Sequence, residues 1–148
     1  MIRRIALGLG IVALAATLAG CEPTTPIATP SPSSIVGVWH HGPDILRINA
    51  DGSFSLKDAP LGVIEQAPAK ASGAPSGPDE SVTGTWAIGS GGTDAGGAPG
   101  VQLTFVSPRK LGQNYGLTLI VSDDIPPQLY VFLGRSDSNI RYTFTRTH

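Results

Sequence analysis

From residue 35 onward, hydrophobic and polar residues alternate in short runs. Leu46 and Ile48 alternate with Arg47 and Asn49. Val101, Leu103 and Phe105 alternate with Gln102 and Thr104. Tyr142 and Phe144 alternate with Arg141, Thr143 and Thr145. A period of two places one set of side chains in a core and the other in water, as in antiparallel strands. Eight such runs stand out: Ile35–His40, Ile45–Asn49, Ser53–Lys57, Val82–Ile88, Val101–Val106, Tyr115–Val121, Gln128–Gly134 and Arg141–Thr145. Gly, Pro, Asn and Asp separate them, and no stretch shows a convincing helical period. The pattern predicts an all-β domain, an antiparallel meander closing as a small β-barrel of about eight strands. Leu129-Tyr130-Val131-Phe132-Leu133 is apolar on both faces, so that strand is expected to be covered on both sides or to lie at an interface.

The same pattern sets a register. A two-residue Asp51-Gly52 loop would place Asn49 opposite Phe54 and mix the wet and buried faces. A three-residue loop of Ala50, Asp51 and Gly52 pairs Ile48 with Phe54 and Leu46 with Leu56. It requires Gly52 in the left-handed conformation. Two stretches lack the alternation. Ala59–Glu80 carries an apolar island, Leu61-Gly62-Val63-Ile64, and is expected to form a partly ordered flap with Leu61 and Ile64 over an open barrel end. Gly89–Gly100, GSGGTDAGGAPG, has the composition of a linker and is expected to be disordered.

The first residues follow another rule. Arg3 and Arg4 precede a 14-residue apolar run, Ile5–Leu18, too short for the roughly 17–25 residues of a spanning helix. A basic head, an apolar middle and small residues before a cut site describe a signal peptide. Leu18-Ala19-Gly20-Cys21 resembles the lipobox of bacterial lipoproteins. That resemblance implies diacylglyceryl transfer to Cys21, which becomes the mature N-terminus and a stable attachment to the membrane. Residues 1–20 are then the signal peptide. The two arginines suit either general or twin-arginine export. Residues 21–34 form the lipidated cysteine and a stalk with four prolines, EPTTPIATPSPSS, expected to lack a fixed conformation. In extended polyproline geometry such a stalk reaches roughly 40 Å. Residues 35–148 are the barrel domain.

Composition narrows the chemistry. The chain has 10 Lys and Arg against 11 Asp and Glu, and loss of residues 1–20 leaves a net charge of −3. With no basic excess, no nucleic-acid partner is expected. Cys21 is the one cysteine, so once it is lipidated the domain has no thiol for a disulfide, a zinc site or nucleophilic attack.

Gly37-Val38-Trp39 and Gly84-Thr85-Trp86 form a weak internal repeat. The first resembles the Gly-x-Trp signature that opens lipocalin-like barrels. By that resemblance Trp39 plugs one barrel end and Arg146, or less readily Arg141, lies across its ring. The lipobox, the stalk, Gly-x-Trp, the Ala50-Asp51-Gly52-Ser53-Phe54 hairpin, Phe132-Leu133-Gly134 and the terminal Tyr142-x-Phe144-x-Arg146 together resemble a group of small lipoproteins of high-GC Gram-positive bacteria without an assigned activity. The Thr-Asp-Tyr element of true lipocalins is absent.

Candidate chemistry is sparse. His40 and His41 point to opposite faces of a strand and cannot chelate one metal together, though Asp44 or His148 could join either one. They read as surface imidazoles at a strand end. Asp123-Asp124 before Ile125-Pro126-Pro127 reads as a turn, and Ser136-Asp137-Ser138-Asn139 lacks the pattern of a calcium loop. No nucleophile elbow or phosphate loop occurs. Trp39 and Trp86 are expected to anchor the core, and Gly37, Gly52 and Arg146 to support the fold. The chain is therefore expected to be a non-enzymatic, cofactor-free binding module, held by lipid on the extracytoplasmic face of the cell membrane. Its partner is expected to be an envelope protein or surface polymer, met by Ala59–Glu80, Arg109–Asn114 and Asp123–Pro127 if these share one end. The alternatives are a small apolar-ligand carrier and a protease inhibitor.

Overall fold

The computed structural model describes residues 28–67, 69–92, 96–106, 113–134, 137 and 139–147. Eight antiparallel strands run in sequence order around a closed barrel: β1 (Gly37–His41), β2 (Asp44–Ile48), β3 (Ser53–Pro60), β4 (Asp79–Ser90), β5 (Pro99–Val106), β6 (Asn114–Val121), β7 (Leu129–Phe132) and β8 (Arg141–Arg146). β8 pairs with β1 through Trp39↔Arg146 and His40↔Thr145, which closes the ring. This is the all-β meander the alternation predicts, in the form of a small lipocalin-like barrel.

The inward positions of all eight strands meet in one core. Trp39, Leu46, Phe54, Val82, Leu103, Leu119, Val131 and Phe144 represent β1 to β8 in turn, and all are buried. Side chains fill the interior, as in other small barrels. The β2–β3 hairpin has the predicted register, with Ile48 opposite Phe54 and Leu46 opposite Leu56. Gly52 lies at φ +86°, where residues with a Cβ are strained. The Asp51 carboxylate closes the loop by accepting the Ser53 N–H at 2.8 Å and its hydroxyl at 2.6 Å.

Several boundaries differ from expectation. The end of the Pro-rich segment forms a single helical turn, α1 (Pro32–Ile35), in place of an irregular stalk or the start of a strand. Ile35 is buried in the core, so strand pairing starts two residues later, at Gly37. The Gly-rich segment pairs further than its composition suggests. β4 and β5 remain in register through Gly89↔Gly100 and Ser90↔Pro99, and the Gly91 N–H donates to the Ala98 carbonyl. Glycine costs strand entropy, but the hairpin continues a ladder that Gly84↔Phe105 to Ile88↔Val101 already hold in register.

Ala59–Glu80 contains a second helical turn, α2 (Leu61–Ile64), whose four residues are all buried. β3 and β4 extend into this stretch, through a bulge between Leu56 and Ala59, to pair Pro60 with Asp79. The connections alternate between two barrel ends. The proximal end holds α1, the β2–β3, β4–β5 and β6–β7 connections and the end of β8. The distal end holds the β1–β2 turn and α2, together with the ends of β5 and β7 and the starts of β6 and β8.

Candidate functional site

At the proximal end, Trp39 is fully buried, and its indole N–H donates to the Ile35 carbonyl at 2.9 Å. The Arg146 guanidinium carbon lies 5.8 Å from the centre of that ring. Arg146 donates to the Ser34 carbonyl at 3.2 Å and the Val36 carbonyl at 2.6 Å. One guanidinium thus fastens the turn before β1 to the last strand and covers the indole. Gly37 makes room for it: a Cβ there would stand 2.9 Å from Arg146 Nε, and φ is +152°. Arg141, the other candidate for this place, points elsewhere.

Trp86 is half-buried beside the core and is not a central anchor. Its indole N–H donates to the Asn49 carbonyl at 2.8 Å and fastens the β2–β3 hairpin. The two Gly-x-Trp segments therefore differ in role. Gly37 admits a guanidinium, whereas Gly84 lies so close to β5 that an added Cβ would overlap the Thr104 carbonyl oxygen.

At the distal end, α2 is the plug. Val63 and Ile64 join the main core, and Leu61 is buried beside Gly77. Next to it, the His41 Nδ1–H donates to the Thr143 carbonyl at 2.8 Å, and the ring stacks on Tyr142 with centroids 3.8 Å apart. His41 is thus a packed, half-buried group rather than a surface imidazole. Asp44 is opposite it in register and only 5 % exposed. Burial pushes the Asp44 carboxyl above its ordinary value; the charge of His41 opposes this, and Asp79 and Asp58 reinforce it. Among the described residues, no group of three or more His, Cys, Asp or Glu side chains is arranged to hold a metal.

The outer face of β6–β8 carries a second apolar cluster of Ala98, Ile120 and Tyr130, with Phe132 packed against it. The Arg141 guanidinium lies 4.4 Å from the Tyr130 ring centre and 5.4 Å from that of Phe132. This accounts for the strand that is apolar on both faces: its outer side chains are covered by the Gly-rich hairpin and an arginine.

Of the three loop regions expected to form one patch, two are described and they lie at opposite ends. Ala59–Glu80 is distal, whereas residues 109–112 of the second region lie outside the described residues. Asp123–Pro127 is proximal, with Ile125 99 % exposed. Strand parity decides this, because each added strand reverses the chain. Cys21, residues 1–27, Arg109, Ser136 and His148 lie outside the described residues, so the lipidation site is not placed. Cover on both faces of 129–133 is the sequence expectation, whereas the residues that supply it and the His41 packing are not read from sequence. The His41 packing arises from a pairing across 102 residues.

Fold and filled interior together define a small lipocalin-like barrel closed at both ends by its own chain. No protein-family model matches the chain, and no curated protein or solved structure matches it.

Proposed function

We propose that the protein is a lipid-anchored envelope protein of the small bacterial lipoprotein group, whose barrel is a non-enzymatic module binding an envelope protein or surface polymer. The observation that carries this reading is the interior. Inward side chains of every strand, with Ile35 at one end and α2 at the other, occupy the space in which a carrier would hold a ligand. Recognition then falls to loops and strand edges on a rigid scaffold.

The anchoring rests on Leu18-Ala19-Gly20-Cys21 and the basic and apolar residues before it. The chain enters the barrel at the proximal end, where Arg146 fastens it. A lipid on Cys21 therefore pulls on that end and leaves the distal connections free to meet a partner. On this reading the protein sits on the extracytoplasmic face of the cell membrane and uses no cofactor.

The test is native mass spectrometry of the protein isolated from its own host membranes. A stoichiometric envelope protein, lost when residues 65–78 are shortened, is the expected result. A co-purifying small apolar molecule would instead make the barrel a carrier, and a trapped protease would make it an inhibitor.

A further inference from the structure

The outer wall of the barrel has one side built from hydroxyl and amide groups. Val82, Leu103 and Leu117 point into the core, so Thr83, Gln102 and Thr104 point out, and Thr85 follows Thr83 by two. Register sets these residues side by side. Ser55 is opposite Thr83, Thr85 is opposite both Ser53 and Thr104, and Thr104 is opposite Gly116, which makes one row across β3, β4, β5 and β6. Thr83, Thr85, Gln102 and Thr104 are exposed, and Ser55 is half-buried. Residues 81–87 of β4, 102–106 of β5 and 114–118 of β6 include no acidic or basic side chain. Charge returns at the rim, where Arg47 of β2 is opposite Ser55.

The face is regular and open. Strands lie about 4.8 Å apart and outward residues of one strand about 6.8 Å apart, so the hydroxyls form a grid. Gln102 lies along the wall: a Cβ on Gly89 would stand 2.7 Å from its Nε2. Gly116 leaves a notch at the end of the row, since an added Cβ would meet only the Leu103 carbonyl oxygen, at 4.0 Å. Among the described residues, the hydroxyls of Ser55, Thr83, Thr85 and Thr104 have no hydrogen-bond partner. Strand propensity accounts for threonine at such positions, and cross-strand threonine pairs stabilise a sheet. Neither accounts for the lack of lysine and glutamate, which exposed surfaces ordinarily carry.

We infer that this face binds a neutral polysaccharide, laid across β3 to β6. A threonine side chain presents a methyl group and a hydroxyl that both donates and accepts, and a sugar ring presents C–H and O–H groups in the same mixture. A charged polymer finds no countercharge on the row and loses its hydration there. An apolar partner leaves the hydroxyls unpaired. Protein interfaces centre on tryptophan, tyrosine and arginine, and the row from Ser53 to Gly116 has none of these. Each contact is weak, but a repeating polymer meets several rows and several anchored copies at once, so binding is by avidity. The inference rests on the binding-module reading and adds to the distal connections a polymer contact on the side of the barrel.

The test titrates the full-length protein, in a detergent without sugar groups, with four oligosaccharides of six residues. Maltohexaose and cellohexaose are neutral; oligogalacturonate is anionic and oligoglucosamine cationic. A neutral hexamer should shift the amides of Thr83, Thr85 and Thr104 saturably in NMR spectra, and the charged ones should not. Thr85→Val with Thr104→Val keeps the branched shape and removes two hydroxyls. This variant should melt with the parent and lose at least about tenfold in affinity, the scale of one or two hydrogen bonds. Serine at the same two positions should retain binding.

The inference fails if neither neutral hexamer binds, if a charged hexamer binds as well, or if the shifted amides lie elsewhere. It also fails if the double valine variant binds like the parent. Shifts at these amides on concentrating the protein alone would make the face a contact between copies, and would overturn it too. The amide map needs no variant, so the test stands even if the valine variant does not fold. An envelope protein held by the distal connections, with no oligosaccharide bound, would overturn this inference and preserve the binding-module reading.

Discussion

Arg146 and Trp39 show how one residue pair can close a barrel end. The guanidinium uses two nitrogens on main-chain carbonyls and its flat face on an indole, an arrangement that lysine does not reproduce. Trp39→Ala removes a fully buried side chain and should cost about 3–5 kcal/mol in denaturant titration. Arg146→Lys should be destabilising in the same assay, since one ammonium cannot hold both carbonyls and cover the ring. Asp44 works in the opposite direction. Burial raises its folded-state carboxyl above the ordinary 3.8, so protonation favours the fold. That contribution is fully present below 3.8 and is lost as pH rises through the raised folded value. Asp44→Asn should therefore melt higher than the parent at neutral pH, with the difference vanishing in acid; a series of melting curves against pH checks this.

At the level of elements, the β2–β3 hairpin is the clearest case of sequence dictating geometry. Alternation on both strands and a glycine at the required position admit one loop length, and the structure has it. Gly52→Val should cost around 1 kcal/mol or more, measured by chemical denaturation, because a β-branched residue is strained at φ +86°. The Gly-rich hairpin shows where local composition misleads. Gly89–Gly100 has almost no strand propensity of its own, yet it pairs to Ser90 and Pro99 because β3 and β6 fix the flanking strands. The α2 turn is similar: four residues cannot form a stable helix alone, and burial against the core holds them. Ile64→Asp places an unpaired charge at a position 2 % exposed, and should destabilise the whole barrel rather than only its flap. Loss of melting cooperativity confined to residues 61–78, with β1–β8 unchanged by amide exchange, would contradict this.

For the whole molecule, the two ends have different duties. The proximal end receives the N-terminal segment and the distal end carries the plug within the longest connection, between β3 and β4. Cys21→Ala should move the protein from the membrane fraction to the soluble or unprocessed pool, as fractionation and intact mass would show. Persistence of that variant in membranes at its mature size would refute lipid anchoring.

Strand number, strand order by neighbour, the inward residues and the β2–β3 register were legible in the sequence, because each depends on a period of two and a few turn residues acting over short distances. The Gly37-x-Trp39 segment also pointed to the plug, through resemblance to lipocalin-like barrels. Other features required the closed ring. Which loops share an end depends on counting every strand reversal. The packing of His41 on Tyr142, the passage of Arg146 over Gly37 and the outer cluster at Tyr130 join residues far apart in the chain. Where the β6–β7 ladder ends among the described residues, at Ile120↔Tyr130, is likewise invisible to alternation, since a side-chain pattern shows which face is buried but not how far two main chains run together. Periodicity encodes faces; only closure of the barrel decides edges.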